Sequence, residues 1–415
     1  MNCEKRIVIT GMGVLCPIGN DLGSFWHSLS NGISGIDTIT HFDPVNHDTK
    51  IAGQIKNFQP ELYLSKKEAN KLVRFIQLSV AATKMALADS NLIINETNAP
   101  EIGVLIGSGI GGLSYLEEQA KVLLEKGPSR INPFTVPYMI ADMAAGYSSI
   151  AVGAKGPNSC VVTACASGTN SIGDAYKLIQ RGAAKAMLAG GAEAAITPLG
   201  LASFSAAQAL SNENDAPQKA SKPFDKNRSG FVMGEGSGVI VLEDLEYAKA
   251  RNARIYAEIV GYGMSGDANH ITAPAPGGEG AVRAIRAALL DAKLKPTDID
   301  YINAHGTSTP INDRNETQAI KKVFGAHAYE MKVSSNKSML GHLLGASGGI
   351  EFIATALTIM NDIVPPTMNI QKVDEDMDLD YVPNKAAKMV VRAALTNSFG
   401  FGGHNATLAL KKYNG

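Results

Sequence analysis

Strand-like and helix-like runs alternate from one end of the chain to the other, and this alternation limits the possible folds more than any other feature. Apolar runs of strand length stand at residues 6–10, 102–106, 160–163, 186–189, 239–242, 255–261, 301–303, 390–395 and 407–410. Helical periodicity fills the intervals, notably at 67–90, 113–126, 167–181, 280–292, 315–323 and 343–360. Such an order predicts α/β architecture. No Ser/Pro-rich linker or low-complexity tract interrupts it, and the polar stretch 211–229 reads as a surface excursion. A length of 415 residues leaves room for two or three units of ~150 residues.

A weak internal echo divides the chain near residue 252 into halves 1–252 and 253–415. Residues 160–180 read as strand, small-residue turn and helix (VVTACASGTNSIGDAYKLI), and 333–360 repeat that order (VSSNKSMLGHLLGASGGIEFIATALTIM). Likewise RIVITGMG, at 6–13, resembles AEIVGYG, at 257–263, each opening a half. Two packed halves place a site at their seam.

Composition removes several classes. Charged residues make up 19% of the chain, below the ~25% of a typical soluble domain, and hydrophobic residues 45%. Disorder requires the opposite balance. With 38 Lys+Arg against 39 Asp+Glu the net charge is −1, so no general field attracts nucleic acid and a charged partner needs a local patch. No apolar run approaches the ~18 residues of a membrane span, and the first residues show no leader pattern. Four cysteines (Cys3, Cys16, Cys160, Cys165) are too few for a disulfide scaffold and lack metal-site spacing. The expectation is a cytoplasmic protein with no metal site and no cofactor. Glycine is abundant, 42 residues against a usual share of ~7%.

Five segments could carry chemistry. GSGIGG at 107–112 fits a dinucleotide fingerprint literally, but no ribose-binding acid follows at a strand end, and a tight glycine turn is the better reading. Cys165 stands among small residues where a strand gives way to a helix. A helix N-terminus there would favour a thiolate and could hold a developing oxyanion. The alternative is a small buried hydrophobe, which a free cysteine often is. His305 follows a short apolar strand in AHGTSTPIND, and Lys337 and His342 share the turn NKSMLGHLLGASGG. Strand ends are where sites collect in α/β proteins. NSFGFGGHN at 397–405 could form a swinging loop with an aromatic tip, or a plain hairpin between the last two strands.

Together these segments, with RSGFVMGEGSGVIVLE at 228–243, resemble the thiolase-fold condensing enzymes, and among them the second type of β-ketoacyl-acyl carrier protein synthase of fatty acid elongation. The resemblance runs through essentially the whole chain in the right order. It implies duplicated βαβ halves in an α-β-α-β-α layering and a homodimer. The implied reaction has two steps. Cys165 takes an acyl group from an acyl carrier protein as a thioester; malonyl-carrier protein then loses CO₂, and its carbanion attacks that thioester to give a 3-oxoacyl product two carbons longer. In this scheme His305 and His342 donate to the malonyl thioester oxygen, and the N–H groups of Cys165 and Phe401 form the oxyanion hole. Phe401 also gates the pocket. Lys337 orients the histidines, Glu316 and Glu351 are candidates for neutralising it, Ile110 lines the acyl pocket, and Thr307 and Thr309 contact substrate. Some relatives carry a monovalent cation near the site, which no residue pattern here establishes.

The Cys-His-His set discriminates among relatives. Thiolases use a second cysteine in the C-terminal half, and no cysteine follows Cys165; initiating synthases have Asn where His342 stands; a decarboxylase-only relative has Gln in place of the nucleophile. A polyketide ketosynthase usually carries fused domains, a Cys-His hydrolase leaves His342, Lys337 and Phe401 without roles, and a non-catalytic partner would lack the cysteine. Two positions depart from the family pattern: His404 stands where Thr is usual after GFGG, and Asn170 replaces a His. For the acidic carrier protein, LSKKEANKLVR at 64–74 offers Lys66, Lys67, Lys71 and Arg74 against Glu68. The family docks its carrier near there, which favours Lys67 and Lys71, with Lys126 and Arg130 adding to them; a solvated helix face is the plain alternative.

Overall fold

The computed structural model describes residues 5–415; Cys3 lies outside them. Among the described residues ten strands form one mixed sheet: β1 (Ile7–Leu15), β2 (Ile102–Gly107), β3 (Asn158–Ser159), β4 (Ala186–Glu193), β5 (Gly236–Asp244), β6 (Ala257–Gly266), β7 (Tyr301–Asn303), β8 (Lys332–Ser334), β9 (Ala393–Gly400) and β10 (His404–Lys411). In the first five the order is β3-β2-β4-β5-β1, and in the second five β8-β7-β9-β10-β6. These are the same permutation, with the same parallel and antiparallel neighbours in each set. The opening strands β1 and β6 pair antiparallel, Ile7 opposite Ile259, and join the two sets. The internal echo is therefore a duplicated fold.

β1, β2 and β4 are buried along their whole length, so they read as unbroken apolar and small-residue runs rather than alternating ones. Helices cover both faces. α1 (Arg74–Ser90) lies on β1 and β5, and α4 (Glu279–Ala292) lies on β6 and β10 beside α5 (Pro310–Phe324). α3 (Ser167–Gln180) and α6 (Ser347–Asn361) pack on each other and on strands of both sets. The layering is α-β-α-β-α, with α3 and α6 as the central layer. α2 (Leu113–Lys126) follows the glycine turn on the outside.

Three expectations change. The run 160–163 is not a strand: only Asn158 and Ser159 pair with Val104 and Leu105, and Val162 turns outward, 56% exposed. The helix expected over 67–90 is two. A capping box of Ser65 and Glu68 starts a short helix at Lys66–Ala69, buried Leu72 and Val73 then turn the chain inward, and α1 begins at Arg74. The stretch 211–229 is not a surface excursion. Ser221, Phe224, Asp225 and Arg228 are buried, and the Phe224 ring stacks on Tyr381 at 4.1 Å.

Candidate active site

Cys165 and His342 come together because the two halves meet through glycine. A 3-10 turn, Ala164–Ala166, precedes α3, and its counterpart Leu344–Ala346 precedes α6. Ala164 and Leu344 hold the matching left-handed φ of 51° and 48°. The helix starts then approach closely: a Cβ on Gly168 would lie 2.9 Å from Gly345 O, and one on Gly348 2.1 Å from Thr169 Oγ1. Cys165 Sγ thus lies 3.0 Å from His342 Nε2.

The His305 ring stands edge-on to His342, centroids 5.4 Å apart, and to Phe399 at 5.7 Å. Lys337 Nζ donates to His305 O at 2.6 Å, approaches His305 Nδ1 at 3.5 Å and is ion-paired with Glu351. Cys165, His305, His342, Lys337 and Glu351 are buried, and Phe399 is partly so. Two contacts settle the tautomers. The Leu344 N–H donates to His342 Nδ1 at 3.3 Å, and the Lys337 ammonium faces His305 Nδ1. Each Nδ1 is therefore an acceptor, and each Nε2 carries the proton. Burial, then the Lys337 charge, holds both imidazoles well below the ordinary histidine range, and His342 adds to the effect on His305. Two neutral N–H donors result.

The sulfur does not behave as its position before a helix suggests. Burial pushes the Cys165 thiol up to about 11, against the opposing pull of the Lys337 charge and the N–H groups of Phe401 and Cys165. At rest it is a thiol. Gly400 brings the Phe401 turn onto this point; a Cβ there would sit 2.6 Å from Thr163 O and 3.1 Å from Cys165 N.

A cleft of about 360 Å³ leads to Cys165, His305 and His342, and Thr307, Thr309, Phe204, Phe231, Leu344 and Phe401 are among its lining. The hydroxyls of Thr307 and Thr309 are 2.9 Å apart. Ile110 is not on this wall; it packs into the apolar cluster beside Cys165 with Leu201, Phe204 and Phe231. Glu316 does not reach Lys337. It accepts from the N–H groups of His305 (2.9 Å) and Gly306 (2.8 Å) and from Asn397, so it fixes the histidine backbone, while Glu351 alone meets the ammonium. Burial pushes both carboxyls up to about 7. Lys67, Lys71 and Arg130 are exposed, whereas Arg74 is turned inward, its guanidinium bidentate on buried Glu235 at 2.7 Å.

Residues 4–248 match the N-terminal domain of beta-ketoacyl synthase, and 256–371 its C-terminal domain. The chain belongs to the beta-ketoacyl synthase family. It is 58% identical over 410 residues to the 3-oxoacyl-[acyl-carrier-protein] synthase 2 of Synechocystis sp., covering 99% of each chain. It is 54% identical over 413 residues to the protein of the same name from Staphylococcus aureus, covering 100% of each. Among solved structures it resembles a type II polyketide ketosynthase in complex with its acyl-carrier protein (TM-score 0.91, 34% identity, 99% and 100% coverage). A beta-ketoacyl synthase from Burkholderia phymatum is similar too (TM-score 0.92, 34% identity, 99% and 100% coverage). The fold is thus that of the thiolase-fold ketosynthases.

Three features of this synthase escaped the sequence. Glu193, fully buried at the end of β4, accepts from Ser108 Oγ (2.9 Å) and the N–H groups of Gly109 (2.7 Å), Ile110 (3.2 Å), Gly111 (3.3 Å) and Gly345 (3.0 Å). One carboxylate thereby ties the GSGIGG turn to the start of α6, which explains that turn without a nucleotide. Buried Arg228 holds the carbonyls of Thr309 (3.2 Å) and Pro310 (2.7 Å) at the cleft. Asn303 Oδ1, Glu351 Oε2 and Thr396 Oγ1 are buried with no hydrogen-bond partner among the described residues, and Asn303 and Thr396 are register neighbours on β7 and β9. These are hard oxygens, one of them a carboxylate's, of the kind that suit a small cation.

Proposed function

We propose that this synthase elongates fatty acids by two carbons, condensing an acyl-enzyme thioester on Cys165 with malonyl-acyl carrier protein to give 3-oxoacyl-acyl carrier protein. The single observation that carries the reading is the pair of buried, neutral imidazoles whose Nε2–H groups share one cleft with a cysteine sulfur 3.0 Å from His342. A hydrolase needs a base; two fixed donors suit a developing enolate.

In the first half-reaction the Cys165 sulfur attacks the acyl thioester. The carrier's thiolate leaves and takes up the proton that the Cys165 thiol gives up. The N–H groups of Cys165 and Phe401 hold the tetrahedral oxyanion. In the second, the malonyl carboxylate leaves as CO₂, and the electron pair of the broken C–C bond moves into an enolate whose oxygen accepts from His305 and His342. That pair then forms the new C–C bond at the acyl carbonyl. Cys165 leaves as thiolate and takes up one proton. Lys337, paired with Glu351, keeps both imidazoles uncharged and turns His305 with Nε2 outward, as the Leu344 N–H does for His342. Asn303, Glu351 and Thr396 would hold a monovalent cation, which would supply positive charge to balance the Glu351 carboxylate. Thr307 and Thr309 offer hydroxyls to the arm that carries substrate, and Ile110 shapes the space for the acyl chain.

Lys67, Lys71 and Arg130 form the docking surface for an acidic carrier protein; their exposure supports this, as does the ketosynthase that resembles this chain and was solved with its acyl-carrier protein. A second copy of the chain covers the exposed apolar residues Leu116, Leu124, Phe134, Val136, Ile150 and Val162; the helix Met143–Val152, which carries Ile150, packs on the edge strand Asn158–Ser159, and Val162 follows that strand in the chain. The division at residue 252 separates the Cys165 half from the half with both histidines. A free thiol as nucleophile suits a reducing cytoplasm and supports that location. Incubation with acyl-carrier and malonyl-carrier protein should yield a product two carbons longer with one CO₂ released for each acyl group; free fatty acid without a longer product would establish a hydrolase instead.

A further inference from the structure

One side chain outside the groups assigned above lies on the turn that carries Phe401. β9 and β10 are joined through Phe401, Gly402 and Gly403, closed by the Gly403 N–H donating to Gly400 O at 3.1 Å and by the pairing of Gly400 with His404. Gly402 and Gly403 hold φ of 83° and 74°, which only glycine adopts readily. The imidazole of His404 covers Gly402: a Cβ built there would be 3.1 Å from both Cδ2 and Nε2 of the ring. The turn is fastened elsewhere by the Gly402 N–H on Ile271 O (2.8 Å), the Asp267 N–H on Gly403 O (2.9 Å) and the Asn405 Nδ2 on Gly403 O (3.3 Å), none of which reaches the Phe401–Gly402 tip from a side chain. Phe401 itself is 37% exposed, and its ring stands 6.4 Å from that of Phe204. A turn with two glycines resists bending little, so the residue packed on its tip decides how freely Phe401 moves.

We infer that His404 is a positioning residue that latches the turn inward, with the Phe401 N–H at the oxyanion position and its ring narrowing the cleft. This rests on the condensing function proposed above. The two half-reactions make opposite demands on the turn: entry of an acyl chain needs the Phe401 ring to move out, and condensation needs the N–H in place. A firm latch slows the first and favours the second.

The test measures acylation of Cys165 by acyl-carrier protein separately from single-turnover condensation of the acylated enzyme with malonyl-carrier protein. His404→Thr keeps a strand-forming residue at the exposed first position of β10. It should acylate about three- to fivefold faster and condense more slowly by a similar factor. His404→Phe, which restores a flat ring, should return the ratio toward that of the wild type. In a Phe401→Ala background, where no ring has to move, His404→Thr should leave acylation unchanged. Equal changes in both rates, no change in a variant that melts like the wild type, or an undiminished gain without the Phe401 ring would overturn the latch. A wild-type enzyme that fails to acylate Cys165 would refute the condensing reading itself.

Discussion

In the proposed reaction His305 and His342 work as neutral donors, and this has a measurable consequence in pH. Both imidazoles are held well below the ordinary histidine value, so the decarboxylation rate should show no acid limb near pH 6.5; a limb there would mean that one of them titrates normally. The same shifts couple to stability. Below about pH 6.5 unfolded histidines take up protons that the folded pair refuses, so their contribution is full above that pH and lost on acidification. Glu316 and Glu351, with values raised to about 7, act in the opposite sense: their contribution is full below the ordinary carboxylate range and lost as pH rises through about 7. Replacing both histidines by Asn should therefore shift the urea midpoint in the variant's favour, relative to wild type, as pH falls from 7 to 5. Lys337→Met leaves the Glu351 carboxylate buried and unpaired, a loss of roughly 3–5 kcal/mol, and adding Glu351→Gln should recover part of it. The candidate residues Cys165, His305 and His342, which the fold brings into one cleft, were legible because each stands in a small-residue turn with few charges. Glu193 was not, since a single Glu ending a strand looks like any surface residue. Its burial comes from partners such as Ser108 and Gly345, 85 and 152 positions away in the chain.

At the scale of elements, the site depends on how closely α3 and α6 approach. Gly348→Ala would place a methyl group 2.1 Å from Thr169 Oγ1 and 2.4 Å from its backbone N, so the helix starts must separate. Displacing Cys165 from His342 by even about 1 Å should lower condensation by roughly 100-fold, and overpacking should cost about 1–3 kcal/mol. Single-turnover rates and denaturant melts measure the two effects; an active, fully stable variant would show that the two helix starts need not touch. Helices with clear apolar periodicity, such as α2, were readable from sequence almost to the residue. The break at 70–73 was not, because what bends the chain there is the burial of Leu72 and Val73 and the hold of Glu235 on Arg74, 161 positions apart. The apolar run 160–163 misled for the opposite reason: Val162 faces outward.

At the scale of the molecule, the repeated strand order accounts for both the internal echo and the site at the seam. One half brings the sulfur and the other the imidazoles. Sequence showed the repeat in the opening strands, RIVITGMG and AEIVGYG, and where turns must be small, at Ala164–Gly168 and Leu344–Gly348; elsewhere the two halves share topology without sharing residues. The surface carries a further prediction. Lys67→Glu with Lys71→Glu should raise KM for carrier-bound substrate, with an effect that shrinks as salt screens the patch, and leave a small acyl thioester untouched. Equal effects on both substrates would place these lysines outside docking. The most direct test of the whole account follows Cys165 through one cycle by mass spectrometry of the intact chain. With acyl-carrier protein alone, Cys165 should gain the acyl mass; on addition of malonyl-carrier protein that mass should leave with one CO₂ and reappear as 3-oxoacyl-carrier protein. Cys165→Ala should do neither, and a Cys165→Ala enzyme that still forms the longer product would contradict the account.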